Sequence, residues 1–468
     1  MAAGKGTRMK SRLPKVLHRL GGRALLAHVA GTAARIGARD VVVVTGHGAD
    51  QVEAAMAGGV GNAAVRFARQ EPQLGTGHAV QQAAPLLSDD GTVVVLSGDV
   101  PLIGEETLRA LVAASAGGKL ALLTIEFDDP TGYGRVIRAA DDGEVRGEVQ
   151  AVVEHKDATE AQRAVREIYS GVMAVPARLL KGWLGRLNND NAQGEYYLTD
   201  VVKLAAADGV PVVAHVTTDA LQVAGINSPA QLAALERAWQ LRQANALMEQ
   251  GVRLADPSRF DLRGKLACGM DVEIDVGCVF EGDVTLGDGV RVGPHCVIRD
   301  AQIAAGAVIH PFTHIEGASV GAGTLVGPFA RLRPGADLGE GSKVGNFCEV
   351  KNGKIAEGAK VNHLTYIGDA VVGAHTNIGA GTITCNYDGV NKHETRIGAN
   401  AFIGSNSSLV APVQIGDGAY IASGSVITDD VPGDALAFGR ARQEIKPDRA
   451  KLLRERALAI KAQKKAKG

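Results

Sequence analysis

From Val320 onward an aliphatic residue returns at every sixth position, through Val326, Leu332, Leu338, Val344 and Val350. The same step runs from Ile397 through Ile403, Leu409, Ile415, Ile421 and Ile427. A glycine often follows, as in Leu286-Gly287, Val292-Gly293, Val326-Gly327, Ile378-Gly379 and Ile403-Gly404. A six-residue period held this long predicts a left-handed parallel β-helix. Each unit is one short strand and a turn, three units close a triangular coil, and the aliphatic side chain points inward. No coil buries its apolar face alone, so many must stack. Composition agrees: 60 of 468 residues are glycine, about 13% against an average near 7%, and aromatics are only 4%. The repeats extend from about Val272 to Ile427. Their phase breaks at Thr384 to Arg396, TCNYDGVNKHETR, which reads as a loop ejected from the coil. Loops that interrupt a solenoid tend to carry function.

The first half has another rhythm. Val41-Val42-Val43-Val44 and Val93-Val94-Val95-Leu96 are β-branched runs of the kind found in buried parallel strands. Helical stretches such as Leu25 to Ile36 lie between them. The pattern predicts an α/β doubly wound sheet over residues 1–229. A helix at 230–250 follows, spaced by Leu232, Leu235, Trp239, Ala246 and Leu247. It reads as a linker joining the two domains, and packing on either of them is compatible with that. The β-helix domain occupies 251–468. Ligands of doubly wound sheets bind beyond the carboxyl ends of the strands, where Gly46-His47-Gly48 and Ser97-Gly98-Asp99 lie.

Lys and Arg total 50 against 51 Asp and Glu, which argues against a general nucleic-acid binder. No apolar run is long enough to span a membrane, and residues 1–14 do not read as a signal peptide. The tail from Lys446 to Gly468 carries nine Lys or Arg and two Asp or Glu, and reads as a solvated, partly helical end. Cys268, Cys278, Cys296, Cys348 and Cys385 contain no C-x-x-C pair, so they read as buried thiols in a reducing cytoplasm.

Gly4-Lys5-Gly6-Thr7-Arg8 with Pro14-Lys15 is not a Walker loop, and alone it says little. It is followed by Gln73-Leu74-Gly75-Thr76-Gly77-His78, Gly98-Asp99-Val100-Pro101-Leu102, Asp129-Pro130-Thr131-Gly132-Tyr133-Gly134-Arg135, Val153-Glu154-His155-Lys156 and Gln193-Gly194-Glu195-Tyr196-Tyr197. The β-helix adds Arg331-Leu332-Arg333-Pro334-Gly335, His363-Leu364-Thr365-Tyr366-Ile367-Gly368-Asp369, Asn377-Ile378-Gly379-Ala380-Gly381-Thr382 and Cys385-Asn386-Tyr387-Asp388-Gly389. Together, and in this order, these segments resemble the bacterial bifunctional N-acetylglucosamine-1-phosphate uridyltransferase/glucosamine-1-phosphate N-acetyltransferases.

The resemblance implies a cytoplasmic homotrimer that binds small molecules and neither nucleic acid nor membrane. Its β-helix would move acetyl from acetyl-CoA to the amine of glucosamine 1-phosphate. Its first domain would join the product to UTP, releasing pyrophosphate and UDP-N-acetylglucosamine for peptidoglycan and lipopolysaccharide synthesis. At the uridylyl site it implies backbone contacts from Ala2, Ala3 and Gly4, and phosphate neutralisation by Lys15. Arg8 would act on the departing pyrophosphate. Gln70, Gly75 and Thr76 would hold uracil, with Ser97 and Gly98 beside the nucleotide. Asp99 and Asn227 would carry Mg2+, and Gly134, Glu154 and Gly225 would lie on the sugar side. Tyr169 stands where the family usually has asparagine. At the acetyl site it implies His363 as general base, a role that suits imidazole. Asn386 would orient that base or the thioester. Arg333, Lys351, Tyr366 and Asn377 would hold the acceptor sugar. Ala380 and Ser405 would flank the thioester carbonyl. Tyr387, Ser423 and Arg440 would contact CoA, Ser423 standing where alanine is usual.

Three other readings stand beside this one. His295, His310, His314 and His375 suggest a zinc site, but the HPFTH spacing read as one strand leaves His310 and His314 over ~12 Å apart. His78 and His155 read as structural. A glucose- or mannose-1-phosphate nucleotidyltransferase with a hexapeptide tail would not need His363 or the Asn386-Tyr387 loop. A non-catalytic regulatory subunit would not need Lys15, Asp99 and Asn227 together. The phosphate loop opens the sequence, whereas the family places the first, central strand before it. The expectation is therefore a start upstream of Met1, or else an acetyltransferase whose uridylyl half is impaired.

Overall fold

The computed structural model describes residues 1–139 and 147–466. The chain divides into two compact units. One is Met1–Leu247 with Phe260–Gly264, and the other is Met248–Arg259 with the chain from Lys265 onward.

In the first unit the valine runs become strands. Asp40–Thr45 pairs in parallel with Ala64–Arg69, in register from Asp40↔Ala64 to Thr45↔Arg69. A separate sheet runs in the order Val212–Val216, Leu120–Glu126, Glu167–Pro176, Arg135–Arg138, Val149–Val153. Thr92–Val95 also pairs with Glu167–Pro176, antiparallel. The sheet is therefore mixed rather than purely parallel, because Glu167–Pro176 crosses back between Thr92–Val95 and Leu120–Glu126. Alternation along one strand feeds two cores. Leu120 and Leu122 pack with Met173 and Val175 on one face. Ala121, Leu123 and Ile125 pack with Ile168 and Ala174 on the other. Burial on both faces is what a continuous apolar strand demands.

The helix Pro229–Glu249 lies in this first unit as far as Leu247, and its last two residues fall in the second. Its buried Gln240 clasps the chain returning at Leu262, accepting from the Leu262 amide at 2.7 Å and donating to its carbonyl at 2.9 Å.

The second unit is a parallel β-solenoid. Leu325, Lys343, Lys360 and Asn377 are successive ladder partners, 18, 17 and 17 residues apart. The twelve aliphatic residues of the two sixfold runs are 0 to 5% exposed. Corner threonines satisfy the neighbouring coil: Thr324 Oγ1 donates to Gly339 O at 2.9 Å, and Thr376 Oγ1 to Gly398 O at 2.7 Å. Another corner takes left-handed backbone at His295, Phe312, Phe329 and Phe347, with φ between 54° and 59°. Their rings stack at centroid spacings of 5.0 to 5.3 Å. The ejected loop leaves after Ile383–Cys385 and rejoins at Thr395–Ile397, where Val372↔Ile397 restores the ladder.

Two details depart from the sequence reading. His310 and His314 do not share a strand: Pro311 and the left-handed Phe312 turn a corner between Val308–Ile309 and His314–Glu316. Strand spacing was the wrong measure for that pair. Cys268 and Cys385 are partly exposed, whereas Cys278, Cys296 and Cys348 are buried. Among the described residues no three His, Cys, Asp or Glu side chains cluster as a metal site would require.

Candidate active sites

In the first unit the glycine-rich loop is strung between the two sheets. The Ala2 amide donates to Val44 O at 2.8 Å, and the Gly98 amide to Met1 O at 2.8 Å. Gly6 has φ 57°, and a Cβ there would lie 2.7 Å from Lys15 Cβ, so the loop closes over the lysine only because position 6 has no side chain. The half-buried Lys15 Nζ then reaches Asp99 Oδ2 at 2.5 Å and Asn227 Oδ1 at 3.2 Å. Two segments more than a hundred residues apart are thus drawn to one cationic nitrogen. The Ile226 amide, donating to Asp99 O at 3.0 Å, ties them together again. A carboxylate and an amide oxygen converging on a positive charge are the hard oxygen donors that Mg2+ prefers, with phosphate oxygens and water completing its shell. The donor set fits that ion.

Around this centre lie the other expected residues. Gln70 is buried and donates to Gly75 O at 2.9 Å, while His78 Nδ1 lies 3.2 Å from its amide nitrogen. His78 therefore supports Gln70. Gly75 has φ 106°, and a Cβ would meet Tyr196 O at 2.6 Å. Thr76 Oγ1 accepts from the Leu198 amide at 3.1 Å. Gly134 O accepts from the Tyr169 amide at 2.9 Å. Ser97 lies beside Gly171. Glu154 accepts from Thr199 Oγ1 at 3.1 Å, and burial pushes its carboxyl above the ordinary range. Tyr169 is buried, its hydroxyl has no hydrogen-bond partner, and burial beside Glu154 pushes it up as well. Gly225 lies near Asn227. Ala3 and Gly4 continue the loop. Arg8 is exposed in the Thr7–Met9 turn, outside this hydrogen-bonded group. His155 lies 3.3 Å from buried Arg135, a structural contact.

In the second unit His363 ends the strand Lys360–His363. Its Nδ1 lies 2.7 Å from Asn346 Oδ1. An amide oxygen only accepts, so in the neutral ring the proton sits on Nδ1 and the lone pair on Nε2. The orienting residue is thus Asn346. Asn386, expected to orient the base or the thioester, donates to Asp369 instead. Asp369 also accepts from Asn352 Nδ2 at 2.8 Å and stands 4.0 Å from Lys351 Nζ. These donors hold its carboxyl below the usual range. Arg333 donates to Glu349 Oε1 at 2.8 Å. Tyr366 pairs in register with Glu349, and Asn377 with Lys360. Gly379-Ala380, Gly404-Ser405 and Ser423 stack one coil above another, with Ala380 O accepting from the Asn406 amide at 2.7 Å and Ser405 O from the Gly424 amide at 2.8 Å. Arg440 passes next to Gly424. In the ejected loop Tyr387 bridges Lys392, and Asp388 meets His393 at 2.7 Å.

Asn346, Asn352, Asp369 and Thr199 were missed in the sequence. For three of them a signal existed. Asn346–His363, Asn352–Asp369 and Asp369–Asn386 are each separated by 17 residues, one coil.

Comparison with known proteins matches residues 1–179 to the MobA-like NTP transferase domain. Residues 268–300 and 394–429 match the bacterial transferase hexapeptide repeats. A protein of Paracidovorax citrulli named Bifunctional protein GlmU is 64% identical over 459 residues, covering 95% of this chain and 96% of that one. Its namesake in Methylibium petroleiphilum is 65% identical over 446 residues, again covering 95% and 96%. That of Bordetella parapertussis is 56% identical over 447 residues, with the same coverage. With this likeness running through both units, the chain belongs to the family of bifunctional GlmU proteins.

Proposed function

We propose that this chain makes UDP-N-acetylglucosamine in two steps: acetyl transfer from acetyl-CoA to glucosamine 1-phosphate, then uridylyl transfer from UTP to N-acetylglucosamine 1-phosphate. The observation that carries this is that one chain holds both the Lys15–Asp99–Asn227 centre and the Asn346–His363 pair. We place the first reaction in the second unit and the second reaction in the first.

In acetyl transfer the sugar arrives as an ammonium and must lose a proton before it can attack. His363 Nε2 takes that proton. The amine then adds to the thioester carbonyl, the C–S bond breaks, and the second proton that the nitrogen sheds in becoming an amide passes to the departing CoA thiolate. Asn346 keeps Nε2 facing the substrate. Arg333 and Lys351 hold the sugar phosphate, Tyr366 and Asn377 the ring, and Ala380 and Ser405 lie beside the carbonyl oxygen. Asn386, Tyr387, Ser423 and Arg440 hold CoA. In uridylyl transfer a phosphate oxygen of the sugar attacks the α-phosphorus of UTP, and pyrophosphate leaves. Such a reaction asks the protein for position and positive charge rather than for a nucleophile. Lys15 and Arg8 supply charge, the Ala2–Gly4 backbone lies along the phosphates, and Gln70, Gly75 and Thr76 read the base. Ser97 and Gly98 flank the nucleotide, and Gly134, Glu154 and Tyr169 face the sugar. Asp99 and Asn227 would hold Mg2+, which supplies phosphate charge neutralisation. Homotrimeric assembly in the cytoplasm belongs to the same proposal. No helix among the described residues is long and apolar enough to cross a membrane.

The test is a paired assay on the 468-residue protein: pyrophosphate release from UTP and N-acetylglucosamine 1-phosphate, and thiol release from acetyl-CoA and glucosamine 1-phosphate. Both activities are expected. Neither, in a folded protein, overturns the enzyme reading, and thiol release alone restricts the chain to the acetyltransferase.

A further inference from the structure

The Lys15 ammonium takes the same two oxygens that a divalent cation would. Its Nζ lies 2.5 Å from Asp99 Oδ2 and 3.2 Å from Asn227 Oδ1. Two positive charges within bonding distance of one pair of oxygens exclude each other, so the ammonium and a metal ion are alternatives. The oxygens sit on backbone that is tied down. The Ile226 amide donates to Asp99 O at 3.0 Å, and the Asn227 amide donates to Gln231 Oε1 at 2.8 Å. Lys15 is differently placed. It opens the short turn Lys15–Leu17 and reaches the pair on a flexible four-carbon stem. The side chains of Lys15 and Asp99 are only 14% and 23% exposed. A carboxylate so far out of water needs a counter-ion at all times, and here Lys15 is that counter-ion. The ammonium has three N–H donors. Two of them meet Asp99 and Asn227, which leaves one for an incoming phosphate oxygen.

We infer that Lys15 is a latch on the cation site: it holds Asp99 and Asn227 until a phosphate-bearing ligand draws it off, so that nucleotide and divalent cation bind as one coupled event. This rests on the assignment of Asp99 and Asn227 as metal ligands in the proposed function, and adds what governs access to them. Lysine suits the task because its ammonium pairs equally well with a carboxylate and with a phosphate. When it swings to the phosphate it leaves two anchored hard oxygens behind. A cation there then has phosphate oxygens within reach to complete its shell. The exchange keeps the carboxylate compensated at both ends of the movement. By linkage the coupling is reciprocal: the factor by which nucleotide tightens the cation is the factor by which the cation tightens nucleotide. The charge that neutralises phosphate in the loaded site is therefore the same charge that bars the cation from the unloaded one.

The experiment measures Mn2+ binding to the 468-residue protein without nucleotide, from the electron paramagnetic resonance of the free ion. It is run at about 0.5 M KCl, where distant charges are screened. Lys15→Met should bind Mn2+ at least tenfold more tightly than the unchanged chain, and Lys15→Gln, the second variant, should do the same. The gain should vanish when Asp99→Asn is added. Arg8→Met removes a positive charge from the same loop without touching the pair, and should give no gain. The inference is overturned by no gain in either Lys15 variant, by an equal gain in Arg8→Met, or by a gain that survives Asp99→Asn. Thermal unfolding of each variant and thiol release report an intact fold. A companion titration with UTP, read by water-proton relaxation to separate the ternary complex from Mn2+–UTP, tests the assignment on its own. Mn2+ held with UTP and lost in Asp99→Asn keeps the metal ligands even where the Lys15 variants remove the latch. Mn2+ binding that Asp99→Asn leaves untouched in both titrations removes the ligands and the latch together.

Discussion

At the scale of single residues the two sites use opposite devices. Lys15 is held by oxygen atoms from distant segments, so its charge is shared until phosphate competes for it. His363 is exposed and held at one nitrogen, which leaves the other free to exchange protons. Replacing His363 with alanine should lower thiol release by about 10²- to 10⁴-fold while leaving pyrophosphate release unchanged. An equal loss in both assays would mean a folding defect instead. Asn346→Ala should cost less and should shift the midpoint of the acetyl-transfer pH profile, which a purely structural role would leave in place. Glu154 supplies a pH prediction. Its carboxyl is raised by burial, so between the ordinary carboxyl pKa and the raised one the folded chain holds more proton than the unfolded chain. Stability therefore falls as pH rises through that window. Glu154→Gln should flatten the fall in a series of denaturant titrations; an unchanged slope would remove Glu154 as its source.

At the scale of elements, the solenoid was the most legible part of the chain. The sixfold step named its interior residues before any coordinates, because each unit repeats one local solution and needs only its neighbours. Leu332 is fully buried in that stack. Leu332→Ala should cost about 2–5 kcal/mol, measured as a lowered denaturation midpoint of the second unit. The strands Asp40–Thr45 and Thr92–Val95 were also legible, as was the ejected loop. The antiparallel return of Glu167–Pro176 was not, since a buried apolar run carries no mark of its direction. The contacts of His363 and Asn386 were hidden for a different reason. Side chains one coil apart meet through the ladder, a relation visible only once the 17-residue turn of the coil is used as a measuring rod. His310 and His314 failed in the same way, judged on a straight strand when a left-handed corner separates them.

At the scale of the molecule, each unit carries its own core and its own constellation, so perturbations should stay local. Chelation with EDTA should abolish pyrophosphate release and spare thiol release. Loss of both would place a metal requirement in the second unit as well. The excursion between Cys385 and Thr395 has a consequence for how such chains change over time. The ladder resumes at Val372↔Ile397 as it would have without the interruption. A corner of the coil is therefore a docking port for new sequence: length, charge and chemistry can be added there without the scaffold registering the difference. A family built on such ports can revise its substrate contacts by insertion at one corner, while selection on the stacked interior continues undisturbed.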